Sequence, residues 1–165
     1  MREQKAAKMI GGIYYEAQID LSYNSNHMDG NCLAYDQTQY TFETNTIGFK
    51  NVSVNVDDVI ETSNHFRCIN MVIEQAGNTL YEKFIKELHF VMKTGTSDSR
   101  KDWFRVGEYK KLPNEVGSND TTLPENVAGE MRKLLADYNA LPSKAFEDIV
   151  AFHVASIPSR TETAV

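Results

Sequence analysis

Cysteine is scarce, and the two present build no framework. Cys32 and Cys68 are the only thiols, too few for a disulfide scaffold and not spaced as the Cys-x-x-Cys pair that redox and zinc sites use. Reduced thiols in the cytoplasm are the expectation. Excess positive charge is missing too: 17 Lys and Arg stand against 23 Asp and Glu, for a net charge of −6. A nonspecific hold on phosphate backbones needs clustered cations, so nucleic acid is not an expected partner. No apolar run approaches the roughly eighteen residues of a membrane span, and the N-terminal MREQKAAKMIGGIYYEAQIDL lacks the unbroken apolar core of a secretory signal. His27, His65, His89 and His153 show no His-x-x-x-His spacing, so core or surface roles are expected and a metal site is not. Met28 and Asp29 sit in no EF-hand loop, and no nucleophile elbow offers covalent catalysis.

What is present is an ordinary globular chain. Its 165 residues suit one domain that buries roughly two thirds of the surface the unfolded chain exposes. There is no internal repeat, low-complexity tract or dividing linker. Apolar residues from Met9 to Ile19 predict a helix over Ala6 to Leu21, weakened by Gly11 and Gly12. SYNSNHMDGN, Ser22 to Asn31, is dense in turn-forming residues and predicts a structured loop. Asp36 is a candidate cap for a short helix, and Gly48 to Val56 a connector.

Four stronger helices follow. Asp57 to Glu74 places Val59, Ile60, Phe66, Ile69, Val72 and Ile73 on one broad face behind the candidate caps Asn55, Asp57 and Asp58. Ala76-Gly77-Asn78 stops it. Thr79 to Glu82 has the spacing of a capping box for an amphipathic helix that carries Phe84, Leu88 and Met92 and ends at Gly95. Thr122 to Glu125 is a second such box, with Pro124 in the first turn and Val127, Met131, Leu134, Leu135 and Tyr138 behind it. After Pro142-Ser143, the residues Phe146, Ile149, Val150 and His153 share one helical face, with His153 expected to pack. Between Thr94 and Thr121, turn residues alternate with β-prone Trp103, Phe104, Val106 and Tyr109, which predicts a loop and a small hairpin.

The tail ASIPSRTETAV, Ala155 to Val165, carries a second message. Back-translated with one permitted codon choice and read two bases later, it becomes Ile-His-Pro-Phe-Gln-Asp-Gly-Asn-Gly-Arg. Each shifted codon takes its last two bases from the largely fixed start of the next residue's codon, so chance agreement over the whole peptide is very small. That peptide resembles the signature HPFxDGNGR of the Fic (Fido) family. The order of the segments SNHMDGN, ETSNHFRCINMVIE, FIKELHFVMKTG, GEYKKLPNEVG, TLPENVAGEMRKLL and FEDIVAFHV across residues 10–154 resembles the same family.

The resemblance implies a mainly α, Fic-type helical bundle with a small β-hairpin flap and its C-terminal part missing. Residues 1–154 would be the N-terminal portion of a single domain, and 155–165 an out-of-frame tail. Family members transfer AMP or related groups from a nucleotide to a protein hydroxyl. ATP and Mg²⁺ are expected cofactors of an intact member, and none is expected for this chain. The signature supplies the family's base, metal ligand, anion cradle and nucleotide-gripping arginine; none stands in the translated sequence, so no catalytic residue is assigned. Within 22–31, Ser25-Asn26-His27-Met28-Asp29-Gly30 resembles the family's inhibitory motif of Ser or Thr, three residues, Glu, then Gly or Asn. Asp replaces Glu, which shortens the reach, and the arginine that such a carboxylate meets is absent. Without the family, Ser25 and Asp29 read simply as helix caps and an Asx-turn. GEYKKLPNEVG, 107–117, resembles the flap that holds a target protein by strand pairing through Tyr109, Lys110, Lys111 and Asn114; the plainer expectation is a solvated hairpin with two surface lysines. Alternatives to an inactive AMP transferase scaffold are a noncatalytic module binding a protein through the flap, or a gene remnant. In the remnant, apolar faces on Leu80 to Met92 and around Phe146 to Val150 would drive self-association.

Overall fold

The computed structural model describes residues 1–48, 53–113, 115–116 and 119–156. Among them are seven α-helices: α1 (Arg2–Ala6), α2 (Ile13–Met28), α3 (Tyr35–Thr44), α4 (Val56–Gln75), α5 (Glu82–Lys93), α6 (Pro124–Ala140) and α7 (Phe146–Ser156). The mainly helical expectation holds. The chain divides into two compact units: Met1–Gly77 with Val91–Ser97, and Asn78–Phe90 with the residues from Asp98 on.

In the first unit α2 packs against α1, α3 and α4, and α3 against α4. Tyr14, Ile69 and Ile73 form a buried cluster with Phe42 packed on it. Phe42 meets Tyr14, Tyr15 and Phe66 edge-on at centroid distances of 6.4, 5.9 and 5.0 Å, the geometry in which a ring's positive edge faces a negative face. The expected cap of α4 is Asn55, whose Oδ1 accepts from the Asp57 amide at 3.0 Å, and Asp57 and Asp58 place negative charge at the positive end of the helix.

The other end of α4 is closed by a residue that periodicity does not reveal. Arg2 Nε donates to the Ile73 carbonyl at 3.0 Å, and an η-nitrogen donates to those of Glu74 and Ala76 at 2.9 and 2.7 Å. A cation on the last carbonyls satisfies unpaired acceptors and suits the helix dipole. This docking explains why so short a helix as α1 persists. Lys8 and Gly11 then take left-handed φ values of +48° and +73°, so the helix expected over Ala6 to Leu21 begins only at Ile13. It also continues through Met28, where a loop was expected. Ser22 and Asn26 are buried there, and their polar side chains find partners across the helix pair. Ala34, not Asp36, stands before α3, and the Gln37 side chain accepts from its amide at 2.8 Å.

In the second unit, Phe84, Phe104, Val127, Met131 and Leu135 are buried. Asn139 Nδ2 donates to the Leu80 carbonyl at 2.7 Å, and α7 leans on α6 through Phe152 and Tyr138, centroids 4.6 Å apart. Neither expected capping box forms. The first helical residue of α5 is Glu82, whose carboxylate pairs with Lys86 at 2.9 Å instead of turning back, and α6 follows Leu123 with no side-chain cap. His153 is exposed, as are Phe146, Ile149 and Val150; Phe152 does the packing expected of His153. No helix among the described residues is long and apolar enough to cross a membrane.

The β-hairpin flap expected over 107–117 is not seen. Residues 107–113 are turns, bends and irregular backbone. Among the described residues, antiparallel pairing joins Glu115 with Asp120 and Val116 with Asn119. Gly107 at φ +78° and a buried Lys110 tie the earlier residues down individually, so they offer no extended ladder.

Candidate functional site

The segment that carries Ser25, Asp29 and Gly30 is the last turn of α2 and its termination. Ser25 lies inside the helix and Asp29 is its C-cap. Gly30, at φ +90°, donates its amide to the His27 carbonyl at 3.2 Å, and Asn31 donates to the Asn26 carbonyl at 3.0 Å. These are the paired bonds of a Schellman ending, which needs a left-handed residue at the Gly30 position. Capping is therefore done by the backbone and not by the side chains of Ser25 and Asp29. A Cβ at Gly30 would meet nothing within 4 Å, so Gly30→Ala should cost only the left-handed penalty of about 1–2 kcal/mol, read as a lower urea midpoint at unchanged slope.

Behind this turn sits a polar clamp that residue spacing did not flag. Asn31, 5 % exposed, donates from Nδ2 to the Asp58 carbonyl at 2.9 Å and accepts at Oδ1 from the Leu33 amide at 3.0 Å. The Asp58 carboxylate accepts from the Cys32 amide at 3.0 Å. Asn26 Nδ2 donates to Thr62 Oγ1 at 3.1 Å. His65 Nδ1 lies 3.1 Å from Ser22 Oγ. Burial holds the imidazole below its ordinary pKa, and the Asp29 charge opposes this in part. Ser22, His65 and Asp29 have the composition of a hydrolytic triad, but Ser22 is fully buried and no substrate reaches its hydroxyl. The clamp is structural, and Asp29 itself is exposed.

Three of the four flap residues gather in the second unit. Tyr109, Lys110 and Lys111 line a small depression with His89, Trp103 and Arg105. Lys86 Nζ stands 4.1 Å from the Tyr109 ring centroid, a cation over an aromatic face. Burial, then the Glu82 charge, push the Tyr109 phenol well above its usual range. Lys110 is 5 % exposed, and its ammonium donates to Thr121 Oγ1; it is not the surface lysine expected. Lys111 is exposed. Asn114 lies outside the described residues. No group of three or more His, Cys, Asp or Glu among the described residues could hold a metal ion, so a Mg²⁺ finds no ligand set there.

No family model and no curated protein matches the sequence. Among solved structures, a Fic domain containing signalling protein from Bacteroides thetaiotaomicron is similar, with a TM-score of 0.65 and 28% sequence identity over 75% of this chain. The chain spans 46% of that protein's length. The fold is Fic-like.

Proposed function

We propose that this chain is the N-terminal part of a Fic-type protein AMP transferase whose frame leaves the signature motif at Ala155, giving a scaffold without transferase activity. One observation carries the reading: with one permitted codon choice, Ala155 to Val165 read two bases later becomes Ile-His-Pro-Phe-Gln-Asp-Gly-Asn-Gly-Arg. The Fic-like fold supports the family part of this reading. The proposal is also supported by the exposed apolar side chains of α7, Phe146, Ile149, Val150 and Val154, which fit a core whose covering elements are encoded elsewhere. Transfer of a nucleotidyl group relies on positioned charge, namely a cradle of backbone amides, a metal, an arginine and a base. In the family the signature motif supplies these, and the translated sequence does not contain that motif, so no step is assigned to its residues.

The test begins with the DNA. Resequencing from codon 145 to well beyond codon 165 should reveal an offset frame that stays open. The frame-restored protein should then label target proteins from ATP carrying a tagged α-phosphate, while the present chain labels nothing. Codons that do not spell the motif would overturn the proposal and favour a noncatalytic module. Transfer by the unrestored chain would overturn the inactivity.

A further inference from the structure

Along α2, Tyr14, Gln18, Ser22 and Asn26 recur at intervals of four, which sets them on one stripe of the helix. Each reaches α4. Tyr14 Oη and Gln18 Nε2 both donate to Asn70 Oδ1, at 2.9 and 3.1 Å; Ser22 meets His65 and Asn26 meets Thr62, each at 3.1 Å. The partners descend α4 as the stripe climbs α2, so the helices share an antiparallel polar seam. Gln18, Ser22 and Thr62 are fully buried. The last rung is doubled: Asn31, beyond the helix, also donates to Thr62 Oγ1, at 3.5 Å.

An apolar seam can slide, because one methyl group substitutes for another at small cost. A buried polar seam cannot, since each displaced donor or acceptor loses its partner at about 1–3 kcal/mol. Single buried polar residues fix register in coiled coils by this means. Thr62 sits where the effect is concentrated. Its one oxygen accepts from residues on both sides of the turn that contains Asp29 and Gly30.

We propose that Thr62 is the positioning residue of the Ser25–Gly30 segment. Its hydroxyl, bonded to Asn26 inside the helix and to Asn31 beyond it, holds the intervening turn in one register and fixes where the exposed Asp29 carboxylate is presented. An inhibitory use of Asp29 rests on the Fic reading; the positioning does not.

Two substitutions separate the hydroxyl from the volume it occupies. Thr62→Val keeps the size and removes the acceptor, while Thr62→Ser keeps the acceptor and removes a methyl. Amide hydrogen exchange on the full chain is the readout, at Asp29, Gly30 and Asn31, whose amides close the turn. Thr62→Val should speed these three by about tenfold, as loss of one buried hydrogen bond would, with the Ile69 and Ile73 amides of α4 unchanged. Thr62→Ser should leave all five near the wild-type rate. The reverse order, with Ser faster than Val, would show that Thr62 only fills space and would overturn the proposal. Equal acceleration throughout α4 in both variants would do the same. If Thr62→Val fails to fold, the serine variant still decides: wild-type rates support positioning and accelerated ones refute it. No nucleotide enters the measurement, so a failure of the transferase reading leaves its result unaffected.

Discussion

Asn31→Ala should lower the stability of the first unit by about 2–3 kcal/mol, more than the loss of either partner it shares with Thr62, because it strands a buried donor. The Leu33 amide, in a residue 3 % exposed, has the Asn31 side-chain oxygen as its acceptor at 3.0 Å. Alanine supplies no acceptor, and the surrounding atoms keep water out. The same change removes the bonds to the Asp58 carbonyl and Thr62, both of which lie on the first two turns of α4. Asn26→Ala is the control. It removes one side-chain bond within the same cluster and should cost about 1 kcal/mol. Urea midpoints at unchanged slope give both values. Equal losses in the two variants would mean that the Leu33 amide finds another partner and that Asn31 is not the keystone of the clamp.

The clamp also shows where sequence reading stops. Residues 22–31 read as a loop because Ser, Asn, Asp and Gly bond readily to their own backbone and so favour turns. That preference yields when the side chains are taken up elsewhere, and Ser22 and Asn26 are taken up by His65 and Thr62. The usable signal was the interval of four from Tyr14 to Asn26, a helical stripe written in polar residues, which a search for apolar periodicity passes over. Where the stripe was apolar the reading succeeded in most places: Ile69 and Ile73 of α4, Phe84 of α5, and Val127, Met131 and Leu135 of α6 are buried, while Val72, expected on the same face of α4, is exposed.

Local signals were less secure than faces. Asn55 caps α4 as expected, but the boxes at Thr79 and Thr122 are bypassed because α5 and α6 begin after them. Capping is worth about 1 kcal/mol, less than the packing that decides where a helix must start. The candidate site divides in the same way. The spacing of Ser25, Asp29 and Gly30 falls on one helix ending, as a short contiguous motif should. The flap residues depended on a hairpin whose ladder lies further along the chain, so Lys110, expected on a solvated strand, is buried beside Thr121. Arg2 was invisible for a different reason. Its acceptors at Ile73, Glu74 and Ala76 are backbone carbonyls distant in sequence, and no side-chain pattern announces them.

Gly107→Ala should destabilise the second unit by about 3 kcal/mol, the sum of two separable costs. At φ +78° any Cβ pays the left-handed penalty of about 1–2 kcal/mol. The Cβ would also stand 3.0 Å from Phe90 Cβ and 3.2 Å from the Lys86 carbonyl oxygen. The carbonyl belongs to the backbone of α5 and cannot rotate away as a side-chain tip would, so overpacking adds about 1–3 kcal/mol. Gly30→Ala isolates the first cost, because its φ is +90° and its Cβ meets nothing. The difference between the two variants therefore measures the clash alone. Relief would require the 107 backbone to retreat from α5, which breaks the bond from its amide to His89 Nδ1 at 2.9 Å. A large loss in Gly107→Ala, with the His89 ring resonances shifted by NMR, establishes the close approach as the reason glycine stands there. A loss no greater than that of Gly30→Ala would mean that the loop moves freely, and that Tyr109, Lys110 and Lys111 are not held by α5 in the arrangement described.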